Sequence, residues 1–404
     1  MHVVLVLDTA YVNGGQAKVC FDSAFALKAR GHDVTVFAAA GPVMPALIEA
    51  GIRVHCLDQP ELLKDASPIA AAWRGIHNGA AAAALGEVLA EMPRGESVIH
   101  VHGWAKALSS AIAGPIRRSG LPALYTMHEY FLLCPNGGFY DYRAHRHCGL
   151  SPLSPACLMT QCDSRSMVHK AWRSVRTGVM KHLHHLPDVF GDIAYFHPFQ
   201  RRIIEKHLPV TARLHEIANP VEAADLGPKT EPTRGEVIFL GRISMEKGVF
   251  LFAEAAERAG ITPVFVGDGP LAGELAARFP QARLLGWHDA AGVRQRLREA
   301  RALVFPSLWY EGQPLTVLES LALGTPVIAG DGSAGRESVV DGETGLWFRQ
   351  GDVADLARAL TRIQDDALVA RLSAQAYRRY WAEPFTLERH SQRLEAVYST
   401  LLGR

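Results

Sequence analysis

What the chain lacks narrows it first. Nowhere in 404 residues does an apolar run approach the ~20 residues of a membrane span. The first apolar run, residues 3–7, is strand-length and has neither a cationic leader nor a cleavage site, so no secretory signal is expected. Neither sign of charge dominates. The 42 Lys and Arg stand against 41 Asp and Glu, so no global field draws the chain to nucleic acid. Cysteine is scarce, six in all, with no Cys-x-x-Cys pair. The dinucleotide fingerprint is missing after the first strand, and no acidic residue ends the second, which argues against a nicotinamide site. There is no Asp-x-Asp cluster to hold a divalent ion. These absences point to a cytoplasmic protein whose membrane contact, if any, is peripheral on the inner face.

What is present is a long α/β alternation. At 48% apolar and 21% charged, 404 residues are too many for one ordinary core, so two domains are expected. In the first half, residues 3–7, 33–37, 52–56, 98–101 and 123–126 read as strands, and about 16–30 as a helix capped by Gly31. Residues 188–194 and 214–217 complete that sheet. Residues 219–235, rich in Pro, Gly and charge, read as a linker. The alternation then restarts, with strands at 237–240, 263–266, 303–305 and 327–329. Helices are expected at 249–259, 271–279 and about 384–402. In such halves a ligand belongs at the carboxyl ends of the strands.

Glu311 and Glu319 are the most informative side chains. They follow the strand-like 302–307, one in a loop and one about a turn into a helix. The helix N-terminus between them offers free N–H groups and partial positive charge, a seat for phosphate. One carboxylate on each side suits a ligand with hydroxyls at both ends of a diphosphate. The turn Gly241-Arg242-Ile243-Ser244-Met245-Glu246-Lys247-Gly248 adds two cations able to clamp phosphate oxygens; a plain turn with solvated cations is its ordinary alternative. Gly267-Asp268-Gly269-Pro270 ends a strand in a tight turn, where ligand contact and simple turn chemistry compete, and Leu285-Gly286-Trp287 could place a base beside an indole, with a core Trp as the alternative. In the first half, Gly14-Gly15 opens a helix, and His100, His102 and His128 stand at strand ends. A histidine there is often a satisfied structural residue, and two facing a cleft favour ligand contact.

These residues carry a resemblance. The second half is similar to retaining glycosyltransferases of family 4, through Gly241-Arg242, Glu246-Lys247-Gly248, Gly267-Asp268-Gly269-Pro270, Glu311, Glu319, Gly324-Thr325-Pro326 and the Asp341-Gly342-Glu343-Thr344-Gly345 turn. The first half fits more loosely, through Gly14-Gly15, His100/His102, Thr126-Met127-His128 and Asn219-Pro220-Val221. The resemblance implies a GT-B fold, two Rossmann-like domains with parallel sheets facing across a cleft. Residues 1–220 would be the acceptor-side domain, 221–235 the linker and 236–380 the nucleotide-sugar domain. Residues 381–404 would be a helix able to cross back to the first domain.

By the same resemblance, Arg242 and Lys247 would bind the donor diphosphate and Glu319 the ribose. Glu311, with N–H groups near Gly312, Gln313, Leu315 and Thr316, would hold the donor sugar, and His128 would touch it near the reacting carbon. Gly267 and Gly286 would line the donor site, and Gly15 would let the first domain approach the phosphates. The donor would be a UDP- or GDP-hexose, transferred with retention and without a metal cofactor. The acceptor would be a glycan or lipid-linked oligosaccharide in surface-polysaccharide synthesis. The chain departs from the family at Gln313-Pro314, where an aromatic-Gly pair is usual and Pro offers no N–H, and at Ala194-Tyr195 before Phe196, where Ser is common.

Two segments lie outside that pattern. Cys134, Cys148, Cys157 and Cys162 cluster in an insert at about 130–165, a candidate structural zinc site with His145 and His147 as substitute ligands; reduced thiols in a loop are the alternative. The insert's Phe139 and Tyr140, with His102, are acceptor-side candidates. Residues 169–182 could split cations and apolar residues onto two helical faces, as a membrane-surface helix does, or could be an ordinary surface helix. Rival readings are a catalytically inactive scaffold of the same fold, a nucleotide-dependent oxidoreductase and a glycan phosphorylase.

Overall fold

Strands buried on both faces and joined by helices can only form parallel sheets with covered sides. A computed structural model describes all 404 residues, which divide into two compact units. Residues 1–139, 149–220 and 386–404 form the first, and 140–148 with 221–385 the second.

The strands of the first unit are β1 (His2–Thr9), β2 (Asp33–Ala40), β3 (Arg53–Cys56), β4 (Ser97–Val101) and β5 (Ala123–Thr126). A short antiparallel hairpin follows, β6 (Tyr140–Asp141) and β7 (Arg146–His147), which belongs to the second unit. β8 (Asp192–Tyr195) and β9 (Arg213–Glu216) complete the first sheet, all parallel, in the order β3-β2-β1-β4-β5-β8-β9. Seven of the eight β1 residues are buried, as a central strand requires. The core on one side of this sheet takes in Phe21, Leu27 and, from the Leu387–Leu401 helix, Leu394 and Tyr398. That last helix is fastened polar group by polar group. Tyr398 Oη bonds His100 Nδ1 at 2.7 Å, His390 Nε2 bonds Ser23 Oγ at 2.9 Å, and Glu395 takes both Arg30 and His32.

The second unit contains β10 (Val237–Leu240), β11 (Val264–Val266), β12 (Arg283–Leu284), β13 (Ala302–Phe305), β14 (Val327–Gly330) and β15 (Gly345–Phe348). They are parallel in the order β12-β11-β10-β13-β14-β15. Hydrophobic clusters cover both faces, one around Phe252, Phe265 and Leu346, the other around Leu303, Leu318 and Tyr380. No helix or strand occupies residues 217–236. In each sheet the strand order reverses beside the central strand: between β1 and β4 in the first, between β10 and β13 in the second. The carboxyl ends at such a reversal leave a crevice that loops cannot fill.

Candidate active site

The crevice beyond β10 and β13 is the cavity that matters. It holds about 140 Å³ and is walled by Leu240 and Gly241 after β10, and by Phe305, Pro306 and Ser307 at the end of β13. Lys247, Glu311, Gln313, Pro314, Leu315 and Thr316 close it. The loop that brings Lys247 here depends on Gly248. With φ of +71°, a Cβ at that position would drive into the Pro306 carbonyl. The loop is tied down by Ser244 Oγ donating to Glu246 Oε1 at 2.7 Å and by Leu308 N–H donating to the Glu246 carbonyl at 2.8 Å.

Lys247 Nζ lies 2.8 Å from Glu311 Oε2 and 5.5 Å from the centre of the Trp309 ring. Both side chains of the ion pair are mostly buried, at 23% and 14% exposure, so removing either would strand the other's charge in poor solvent. The other carboxylate oxygen, Glu311 Oε1, is buried with no partner. So are Ser307 Oγ and Trp309 Nε1. An unpaired buried polar atom costs about 1–3 kcal/mol, and three within five residues of one loop mark a site shaped for something polar to fill.

The Leu315–Ala322 helix starts at this cavity. Pro314 stands at its N-cap, and the first turn's bonds run from Val317 and Leu318 N–H to the Pro314 carbonyl. The N–H groups of Leu315 and Thr316, both cavity-lining, precede that ladder. The proline therefore sits ahead of the free donors and removes none of them. Glu319 follows Leu315 by one helical turn, on the same side.

The other expected donor-site residues are spread differently. Arg242 is exposed beside Gly241. Gly312, within the same loop, is half-buried. Gly267 and Gly286 pair with each other: Gly267 N–H donates to the Gly286 carbonyl at 2.8 Å in an isolated bridge, and neither lines the cavity. In the first unit Gly15 begins the Gly15–Ala29 helix with open space around it.

His102 Nδ1 and His128 Nε2 share a hydrogen bond of 2.9 Å, and His102 Nε2 is buried without a partner. Burial first, then the charges of His390 and Lys106, push His128 down to about 3. Burial also holds His102 and His100 well below the usual range. All three are neutral imidazoles near pH 7, able to donate and accept hydrogen bonds but not to act as acids. His100 is structural, with Tyr398 on one nitrogen and Thr126 Oγ1 on the other, each at 2.7 Å. Asp8 escaped the reading of the sequence. Its buried carboxylate accepts Ala107 and Leu108 N–H at 2.7 and 3.0 Å and so shapes the loop after His102.

Three expectations need correction. Phe139 and Tyr140 are buried, Phe139 against Tyr130 and His207, so their faces cannot meet an acceptor sugar. The four insert cysteines form no metal site: no group of three or more His, Cys, Asp or Glu is placed to hold a metal. Cys148 lies in the second unit, while Cys157 and Cys162 take the buried Lys170 ammonium at 3.5 and 3.2 Å. Finally, the Met167–Val179 helix is not basic outward. Lys170, Arg176 and Thr177 are its buried residues, Arg176 beneath the Trp104, Phe131 and Trp172 rings, while Val168 and Val175 are exposed.

Comparison with known proteins bears on the family and the fold. Residues 234–366 match the family described as "Glycosyl transferases group 1", and residues 14–161 match "Glycosyl transferase 4-like domain". HepE of Anabaena, crystallised with UDP, aligns over 99% of this chain and 100% of its own, with a TM-score of 0.67 at 16% identity. The fold is GT-B. The chain belongs to the family-4 type of glycosyltransferases. A Mycobacterium tuberculosis glycogen synthase is 30% identical over 212 residues, 48% of this chain and 50% of that protein. The lipopolysaccharide core mannosyltransferase LpcC of Rhizobium leguminosarum is 32% identical over 202 residues, 46% of this chain and 57% of that one. The chain thus spans about half the length of these relatives.

Proposed function

We propose that this chain moves a hexosyl residue from a nucleoside-diphosphate sugar to a glycan or lipid-linked acceptor in surface-polysaccharide synthesis, with retention and without a divalent ion. The carrying observation is the trio of unpartnered buried atoms, Ser307 Oγ, Trp309 Nε1 and Glu311 Oε1, beside Lys247 at the reversal of the second sheet. Breaking a sugar–phosphate bond builds positive charge on the sugar and negative charge on the diphosphate. Lys247, Arg242 and the Leu315 and Thr316 N–H groups supply the complement to the negative end. Glu311 Oε1 and Ser307 Oγ suit sugar hydroxyls, and Glu319 suits the ribose. No side chain is assigned as nucleophile, since Glu311 is held by Lys247. Substitution on the same face, helped by the leaving phosphate, fits that arrangement. From the first unit, Gly15 is assigned to the donor phosphates and the neutral His102–His128 pair to sugar contact.

The acceptor reading includes a peripheral membrane surface. No helix is long and apolar enough to cross a membrane. Two helices in contact do, however, expose apolar side chains: Ile69 and Trp73 on Pro68–Ile76, and Val168 and Val175 on Met167–Val179.

The test of the reaction is release and transfer of sugar from UDP- and GDP-hexoses by purified protein, with and without a metal chelator. The unsubstituted chain should turn over equally in both conditions. Glu311→Gln should lose on the order of a hundredfold or more, with a melting midpoint lowered by the unpaired Lys247 charge but still above the assay temperature. Turnover unchanged by Glu311→Gln would sink the assignment. Binding without any turnover would favour an inactive scaffold of the same fold.

A further inference from the structure

The β6–β7 hairpin, part of the second unit, has no role in the chemistry above. Its inner residue Tyr140 is fully buried, edge-on to Tyr142. At its far end His147 lies flat on Tyr310, ring centres 3.8 Å apart and planes within 16°. Burial pushes the His147 pKa down, so the ring stacks as a neutral imidazole. Leu308, Trp309 and Tyr310 are the three residues that lead into Glu311. No helix or strand fixes residues 306–314. The course of that loop is therefore set by what packs on it, and the hairpin grips it at Tyr310. A carboxylate whose second oxygen must meet a sugar hydroxyl needs placement to a fraction of an ångström.

We propose that His147 is a positioning residue for Glu311: by clamping Tyr310, the hairpin fixes the carboxylate that receives the donor's sugar. The proposal rests on the donor-site reading above. It acts first on the sugar end; of the diphosphate groups, Lys247 is coupled to it through the ion pair with Glu311.

Calorimetric titration of the full chain with UDP-glucose and GDP-mannose, and with UDP and GDP, separates the two ends. His147→Ala should weaken the bound nucleotide sugar roughly tenfold, equivalent to about 1.4 kcal/mol, and nucleoside diphosphate affinity by much less. His147→Phe, which keeps a flat ring, should restore most of the loss. Tyr310→Ala removes the same contact from the other side and should show the same split, which guards against one variant failing to fold. Equal losses for sugar and diphosphate, no loss at all, or no rescue by Phe would overturn the clamp while leaving the donor site standing. If the unsubstituted chain binds neither nucleotide nor nucleotide sugar, the donor-site reading falls first and takes the clamp with it.

Discussion

At the scale of single residues, the site is a set of unmet demands. Lys247 and Glu311 were legible in the sequence because charges at strand ends in an α/β chain have few structural uses. Ser307 and Trp309 were not, because a hydroxyl or indole becomes conspicuous only when the fold buries it without a partner. Phe139 and Tyr140 misled for the opposite reason. Aromatics in a glycine-rich stretch look available, and here they are packed inside. The imidazoles of the first unit make a pH prediction. His100, His102 and His128 have folded values depressed by burial below the ordinary histidine value near 6.5. The unfolded chain therefore takes up protons that the native state refuses. Their contribution is fully present above about pH 6.5 and is lost as pH falls toward the folded values. The melting midpoint should drop between pH 7 and pH 5, before most carboxylates titrate. A flat midpoint over that window would mean the native imidazoles protonate freely.

At the scale of elements, the strands were easy and the edges hard. Residues 123–126 and 237–240 were read at their observed bounds, because continuous apolar runs between turn signals have few other readings. β12, the β6–β7 hairpin and β15 escaped. Two-residue strands carry no period, and β15 begins at the end of a turn that looked complete in itself. The Met167–Val179 helix shows the limit of amphipathic patterning. Its residues do divide into two faces, but the division cannot say which face is inward. Here the cations go in, held by thiols, carbonyls and aromatic rings, and valines are left out. If those valines, with Ile69 and Trp73, rest on a bilayer, Trp73→Glu combined with Val168→Glu should abolish flotation with anionic liposomes while leaving donor hydrolysis intact. Flotation equal to the unsubstituted chain would remove the membrane reading.

At the scale of the whole molecule, the two units are sewn together by the path of the chain. The first takes back residues 386–404 from beyond the second, and the second borrows 140–148 from within the first. Deleting 386–404 removes Leu394 and Tyr398 from the first core, and takes the partners from Ser23 and His100. Loss of one such buried aromatic alone costs about 3–5 kcal/mol. A chain ending at Phe385 should melt its first unit at a lower temperature while still binding UDP or GDP through the second; unaltered melting would show the tail to be dispensable. The borrowed tail also inverts the order of folding on the ribosome. Domains ordinarily close in the order they are made. Here every residue of the second unit has been synthesised by Phe385, while the first cannot close until Tyr398 arrives. A nascent chain released before that helix has formed would carry a finished second unit and an open first core.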